Sequence, residues 1–134
     1  MKEWQFFFWT AAFYNIAVGI PLYLTPEWIV LMTGTVLPPD AALMRVTGAL
    51  LICFGIVYAI VGRDPQRHRP IVWAGLLGKI GMGAVYIPDW LLGTVPVPTI
   101  MFVLGNFAFA TIFLYFLFRP VEKEKGFRAS MPAA

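Results

Sequence analysis

The sequence predicts an all-α protein: a four-helix antiparallel transmembrane bundle with a short interfacial helix between spans one and two. Three observations predict it. First, 60% of the 134 residues are hydrophobic and only 13% are charged, whereas a water-soluble domain carries about 25% charged residues. That leaves too little polar surface to cover a soluble globule. Second, four uncharged or nearly uncharged segments are each long enough for a span of about 20 residues. Third, the basic residues outside the spans fall at the two termini and in the middle turn, and none falls in the other two connections. The chain has room for four spans and none for an additional soluble catalytic domain.

Residues 4–26 carry no charge. They are too long for the apolar region of a typical signal peptide, hold Asn15 midway and lack a convincing A-x-A site, so they read as a retained span over about 4–24. Thr25-Pro26-Glu27 then signals a new helix. Thr25 suits a cap, Pro26 the first helical position, and Glu27 the positive end of the helix dipole. Gly34 stops that helix after about eight residues, too few to span. With Trp28 as anchor, it is expected to lie in the outer interface. Pro38-Pro39-Asp40 opens the second span, about 41–62. The run from Arg63 to Pro70 is a tight polar turn. The third span covers about 71–90 and is weakened near its end by Pro88. Leu91 to Pro98 forms a short apolar connection, and the fourth span occupies about 98–118. Arg119-Pro120 ends it. A basic cytoplasmic tail follows over 119–134, expected to be partly disordered beyond about residue 125.

An even number of spans places both termini and the middle turn on one side. That side carries Lys2, Arg63, Arg67, Arg69, Arg119, Lys123, Lys125 and Arg128. The opposite loops carry Glu27, Asp40 and Asp89 and no basic residue. This positive-inside pattern predicts a multi-pass protein of the cell (inner) membrane with both termini cytoplasmic. The five tryptophans, at 4, 9, 28, 73 and 90, fall near the predicted span ends, as in an interfacial belt.

Several chemistries are excluded by what the chain lacks. Its single cysteine, Cys53, rules out disulfide exchange within the chain. Its single histidine, His68, rules out bis-histidine haem ligation and reads as a solvated loop residue. Gly75-Leu76-Leu77-Gly78-Lys79 lacks the spacing of a phosphate-binding loop, and Ile80 stands where a hydroxyl residue is needed. No catalytic residue and no metal site is assigned, and the reading leans away from an enzyme. The net charge of +3 follows from topology and does not point to nucleic acid.

Four polar side chains fall inside spans: Asn15, Arg45, Lys79 and Asn106. Such residues are costly in lipid and face the bundle interior or water. Lys79 is near the middle of span three, roughly 12 Å from its cytoplasmic end at about 1.5 Å per residue, so snorkelling covers only part of the distance. Arg45 lies one turn inside span two, where it can pair with Asp40, Glu27 or Asp89. It also shares a face with Gly48, Gly55 and Gly62, which recur every seven residues and suit close helix packing. Asn15 shares a face with Ala11, Gly19 and Leu22 on span one, Lys79 with Gly75, Met82 and Tyr86 on span three, and Asn106 with Ala110 on span four. These stripes would converge in a bundle.

No acidic residue lies mid-span to balance Lys79 and Arg45. Lys79 must therefore be neutral, wet, bonded to Asn15, Asn106 or Tyr86, or paired with something outside the chain. Two readings follow. In one, the polar residues are a structural network that fixes helix register. In the other, the bundle binds a lipophilic acidic or carbonyl compound (a quinone, a fatty acyl chain or a lipid). Lys79 and Arg45 then donate, while Asn15, Tyr86 and Asn106 orient the ligand. A small membrane enzyme or transporter is a further alternative.

Arg45-x-x-Gly48 followed by Gly55, then Asp64-Pro65, then Trp73-x-Gly75-x-x-Gly78-Lys79, resembles the layout of DoxX-like small four-span bacterial membrane proteins. The likeness covers most of residues 10–118. It implies a non-enzymatic accessory or structural subunit of a larger membrane complex, a redox complex in the better-known members, or a quinone-facing protein. It transfers no catalytic residue to this chain. The expected surroundings are the lipid bilayer and such a complex, with a quinone or bound lipid as the only small-molecule classes implied.

Overall fold

The computed structural model describes residues 2–34 and 39–120. Its elements are α1 (Lys2–Leu24), α2 (Pro26–Thr33), α3 (Ala42–Arg63), a 3₁₀ turn (Arg69–Ile71), α4 (Val72–Ala84), α5 (Ile87–Leu91) and α6 (Val97–Phe118). Four segments are long and apolar enough to cross a membrane: Lys2–Leu24, Ala42–Arg63, Arg69–Leu91 and Val97–Phe118. The predicted all-helical class and four-span bundle are what the structure has, with the short α2 between spans one and two. The expectation about the tail beyond residue 120 falls outside the described residues.

Close backbone packing joins α1 to α3 and α4 to α6, whereas α3 and α4 meet mainly through side chains. Glycine sets the first contact. A Cβ on Gly48 would lie 2.6 Å from the Tyr23 nitrogen and 2.8 Å from the Gly19 carbonyl oxygen, and a Cβ on Gly19 would lie 2.8 Å from the Gly48 oxygen. Gly55 admits Ile16, and Gly62 admits the Trp9 ring. The glycine face read from the sequence is therefore the α1–α3 seam. In lipid, where burial of apolar surface drives little helix association, this intimacy is the main source of attraction. In the second pair Gly83 receives the Phe107 ring, while Gly75 makes room for Tyr58 of α3.

The two pairs are joined by aromatic side chains in the half of the bundle nearer the basic turn. Phe8 and Phe113 stack with centroids 5.6 Å apart, and Phe116 meets Phe8 at 5.1 Å. Tyr58, Val61, Val72, Leu76 and Ala110 complete this core. The helix ends are tied on the same side. Gln5 donates to the Arg63 carbonyl at 3.1 Å. Arg69 donates to the carbonyls of Leu117 and Arg119 and lies over the Phe116 ring. The Arg119 guanidinium lies 5.3 Å from the Trp4 ring centroid. The N-terminus of α1, the polar turn and the end of α6 thus share one end of the bundle.

One local expectation needs correction. Thr25 does not cap α2: its hydroxyl donates to the Pro21 carbonyl at 3.2 Å. That carbonyl also accepts the Thr25 N–H at 2.7 Å, so the residue is turned back onto the last turn of α1 and away from α2. The weakening expected near Pro88 is present: the third span is interrupted near its end. α4 stops at Ala84 and α5 begins at Ile87, because Pro88 has no N–H for the Ala84 carbonyl and its ring crowds that oxygen. Other boundary signals work as read. Gly34 ends α2 at φ 69° and donates to the Val30 carbonyl. The Asp40 carboxylate accepts from the Ala42 N–H at 2.9 Å, serving the start of α3.

Candidate functional site

Lys79 and Asn15 are the centre of the site. Lys79 lies ten residues into the third candidate span, about 15 Å along a helix axis. Gly75 and Gly83, one turn either side of it, are buried against neighbouring helices, so this face of α4 turns inward. The Lys79 side chain is 3% exposed and the Asn15 side chain 0%. Lys79 Nζ donates to Asn15 Oδ1 at 2.7 Å. The amine also lies 5.3 Å from the centroids of both the Tyr14 and Phe109 rings, within reach of their negative faces. The amine is thus held by one amide oxygen and two ring faces, and no carboxylate stands beside it. Every acidic residue of the described chain lies in a loop or an end turn: Glu3, Glu27, Asp40, Asp64 and Asp89.

Lys79 also lines an apolar cavity of about 240 Å³ between α3 and α4, bounded by Leu50, Leu51, Phe54, Tyr58 and Met82. A second cavity of about 310 Å³ shares Thr47, Leu51 and Met82 with it. It runs toward α2, past Tyr86, Thr99 and Phe102, to Ile29 and Thr33. The half of the bundle near the basic turn is filled with aromatic rings, and the other half is hollow. Lys79 stands at the boundary. Few polar groups line the hollow half, and their protons are mostly committed. Thr33 and Thr47 donate to carbonyls of their own helices, and Thr99 donates to the Thr33 carbonyl.

Of the residues expected to share the site, Asn15 and Lys79 are brought into contact. Asn106 is fully buried on the inward stripe of α6, one turn from Phe109, and its amide donates to the Phe102 carbonyl at 2.9 Å. Tyr86 lines the second cavity, nearer α2. Arg45 lies elsewhere. It is exposed and donates to the Tyr23 carbonyl at 2.8 Å, at the end of α1. The glycines of its face are buried, but its long side chain reaches back to the end of α1, where a helix leaves carbonyls unsatisfied.

Tyr14, Tyr58 and Phe109 belong to the site and were not singled out from sequence. Tyr58 lies three residues from Gly55 and four from Gly62, on the seam face, and that spacing was the available signal. Phe109 lies three residues from Asn106, on the same helical face. Among the described residues, no cluster of three or more His, Cys, Asp or Glu is placed to hold a metal ion. Comparison of the chain with protein-family models, with curated proteins and with solved structures finds no match.

Proposed function

We propose that this integral membrane protein binds a lipophilic compound with a carbonyl or acidic head group in the hollow half of its bundle, with Lys79 as the donor that holds the head. One observation carries the reading: a buried lysine whose amine has a single neutral hydrogen-bond acceptor lines an apolar cavity within the membrane span. An amine bonded to one oxygen still has protons to give, and leaving them unmet in a dry site is costly. An accepting head group meets them, and the apolar walls suit the remainder of such a molecule. The ligand enters from the bilayer between α3 and α4, where the helices are joined by side chains and not by close backbone packing. Arg45 has no part in this binding. The DoxX-like resemblance is in keeping with a lipophile-facing role, and the positive-inside pattern puts both termini in the cytoplasm.

Native mass spectrometry of protein gently extracted from its own membrane tests the proposal. The expected result is a small lipophile retained by the wild type and lost from Lys79→Met. A bare monomer, or equal retention by Lys79→Met, refutes it. A large retained protein mass with no lipophile would favour the accessory-subunit alternative, in which the apolar outer face of α6, with Met101, Leu104, Tyr115 and Phe118 exposed, packs on a partner.

A further inference from the structure

Two fully buried amides, Asn15 of α1 and Asn106 of α6, have opposite unmet needs. Asn15 Oδ1 accepts from Lys79, so turning that amide around would set an N–H against the amine. Its Nδ2 therefore remains a donor, and this atom is buried without a hydrogen-bond partner. Asn106 Nδ2 donates to the Phe102 carbonyl, so turning this amide around would set oxygen against oxygen. Its Oδ1 therefore remains an acceptor, and it too is buried without a partner. Both residues are 0% exposed. Neighbouring contacts bring α6 to the level of Lys79: Phe109, three residues from Asn106, lies 5.3 Å from the amine, and the next turn of α4 packs Gly83 on Phe107. Buried polar atoms are rarely left unpaired, and each exception calls for an explanation. Here the unmet set consists of donors on Lys79 and Asn15 and one acceptor on Asn106.

Resting on the ligand-binding reading above, we infer that the bound head group carries a hydrogen-bond donor beside its carbonyl acceptor, as a primary amide or a protonated carboxylic acid does, and that Asn106 selects for that donor. The carbonyl oxygen of such a head accepts from Lys79 and Asn15, and its N–H or O–H donates to Asn106 Oδ1. An ester or ketone satisfies the donors and leaves Asn106 dry.

The test uses the full chain in phosphatidylcholine nanodiscs, with dodecanamide and methyl dodecanoate as probes of equal chain length. The methyl ester is the more apolar, so partitioning alone would favour it. The expected result is the reverse: the amide binds the wild type about tenfold more tightly, a difference of about 1.4 kcal/mol. Asn106→Leu brings the two probes within about twofold, and Lys79→Met loses both. Equal binding of the two by the wild type, with both lost from Lys79→Met, overturns the donor inference and leaves the ligand-binding reading in place. A tenfold preference that survives in Asn106→Leu overturns the assignment to Asn106. If neither probe binds, or Lys79→Met binds like the wild type, both the inference and the reading beneath it fail. The comparison of probes on the wild type decides the main point even if Asn106→Leu does not fold.

Discussion

Replacing Gly48 by alanine probes the contact that sets the depth of the site. The added methyl carbon would lie 2.6 Å from the Tyr23 nitrogen, 2.8 Å from the Gly19 oxygen and 3.0 Å from the Leu22 carbonyl carbon. All three are backbone atoms of α1, so no rotamer change relieves the clash and the two helices must separate. Overpacking of this kind costs about 1–3 kcal/mol, and backbone opponents put Gly48→Ala at the upper end. Against this, alanine gains up to about 1 kcal/mol in helix propensity over glycine. A net loss of about 2 kcal/mol is expected. Gly81→Ala is the control: nothing lies within 4 Å of its Cβ position, so only the propensity gain remains and the variant should be at least as stable as wild type. Unfolding in mixed micelles, by a denaturing-detergent titration, measures both. Because α1 also carries Asn15, Gly48→Ala should weaken ligand retention along with stability. If Gly48→Ala matches the wild type in stability, or Gly81→Ala is equally destabilised, the account of the α1–α3 seam is wrong.

Further outcomes follow from the same geometry. Asn15→Leu should cost about 1–3 kcal/mol by stripping Lys79 of its one acceptor, and much of that should return in the Asn15→Leu/Lys79→Met double variant; additive losses in a double-mutant cycle would show that the two do not interact. Arg45→Ala should lower stability by about 1 kcal/mol, through loss of its bond to the Tyr23 carbonyl, without changing lipophile retention; lost retention would return Arg45 to the site. Arg69→Gln should destabilise by about 1.5–3 kcal/mol, the range for hydrogen bonds to a charged group, because Arg69 ties the polar turn to the end of α6; an unaltered unfolding midpoint would contradict this. In a Cys53→Ser background, Gln66→Cys should react with an impermeant maleimide only from the cytoplasmic side and Gly93→Cys only from the opposite side; the reverse pattern would invert the proposed orientation.

Much of the fold was legible because membrane insertion writes its rules along the chain. A span needs an uncharged run of set length, basic residues mark one side, and Pro or Gly at a span end shows locally where a helix must stop. Hence the four spans and the short α2, ended by Gly34, follow from the sequence. The glycine face of α3 was readable for the same reason, since small residues at helical spacing have few other uses in lipid. Lys79 and Asn15 stood out because polar groups inside an apolar span are exceptional.

Tertiary structure alone decided who meets whom. Asn15 and Lys79 are 64 residues apart, and nothing local says that their side chains touch. Arg45 shares a face with buried glycines, yet a long flexible side chain is not bound to the direction of its Cα, and the carbonyl of Tyr23 drew it away. The aromatic filling of one half of the bundle and the hollow in the other are also invisible in sequence, for both halves are equally apolar there. Composition determines that a segment leaves water. Whether its side chains then close on one another or leave room for a guest depends on helix pairing, and here glycine contacts bind the helices two by two and leave the gap between the pairs.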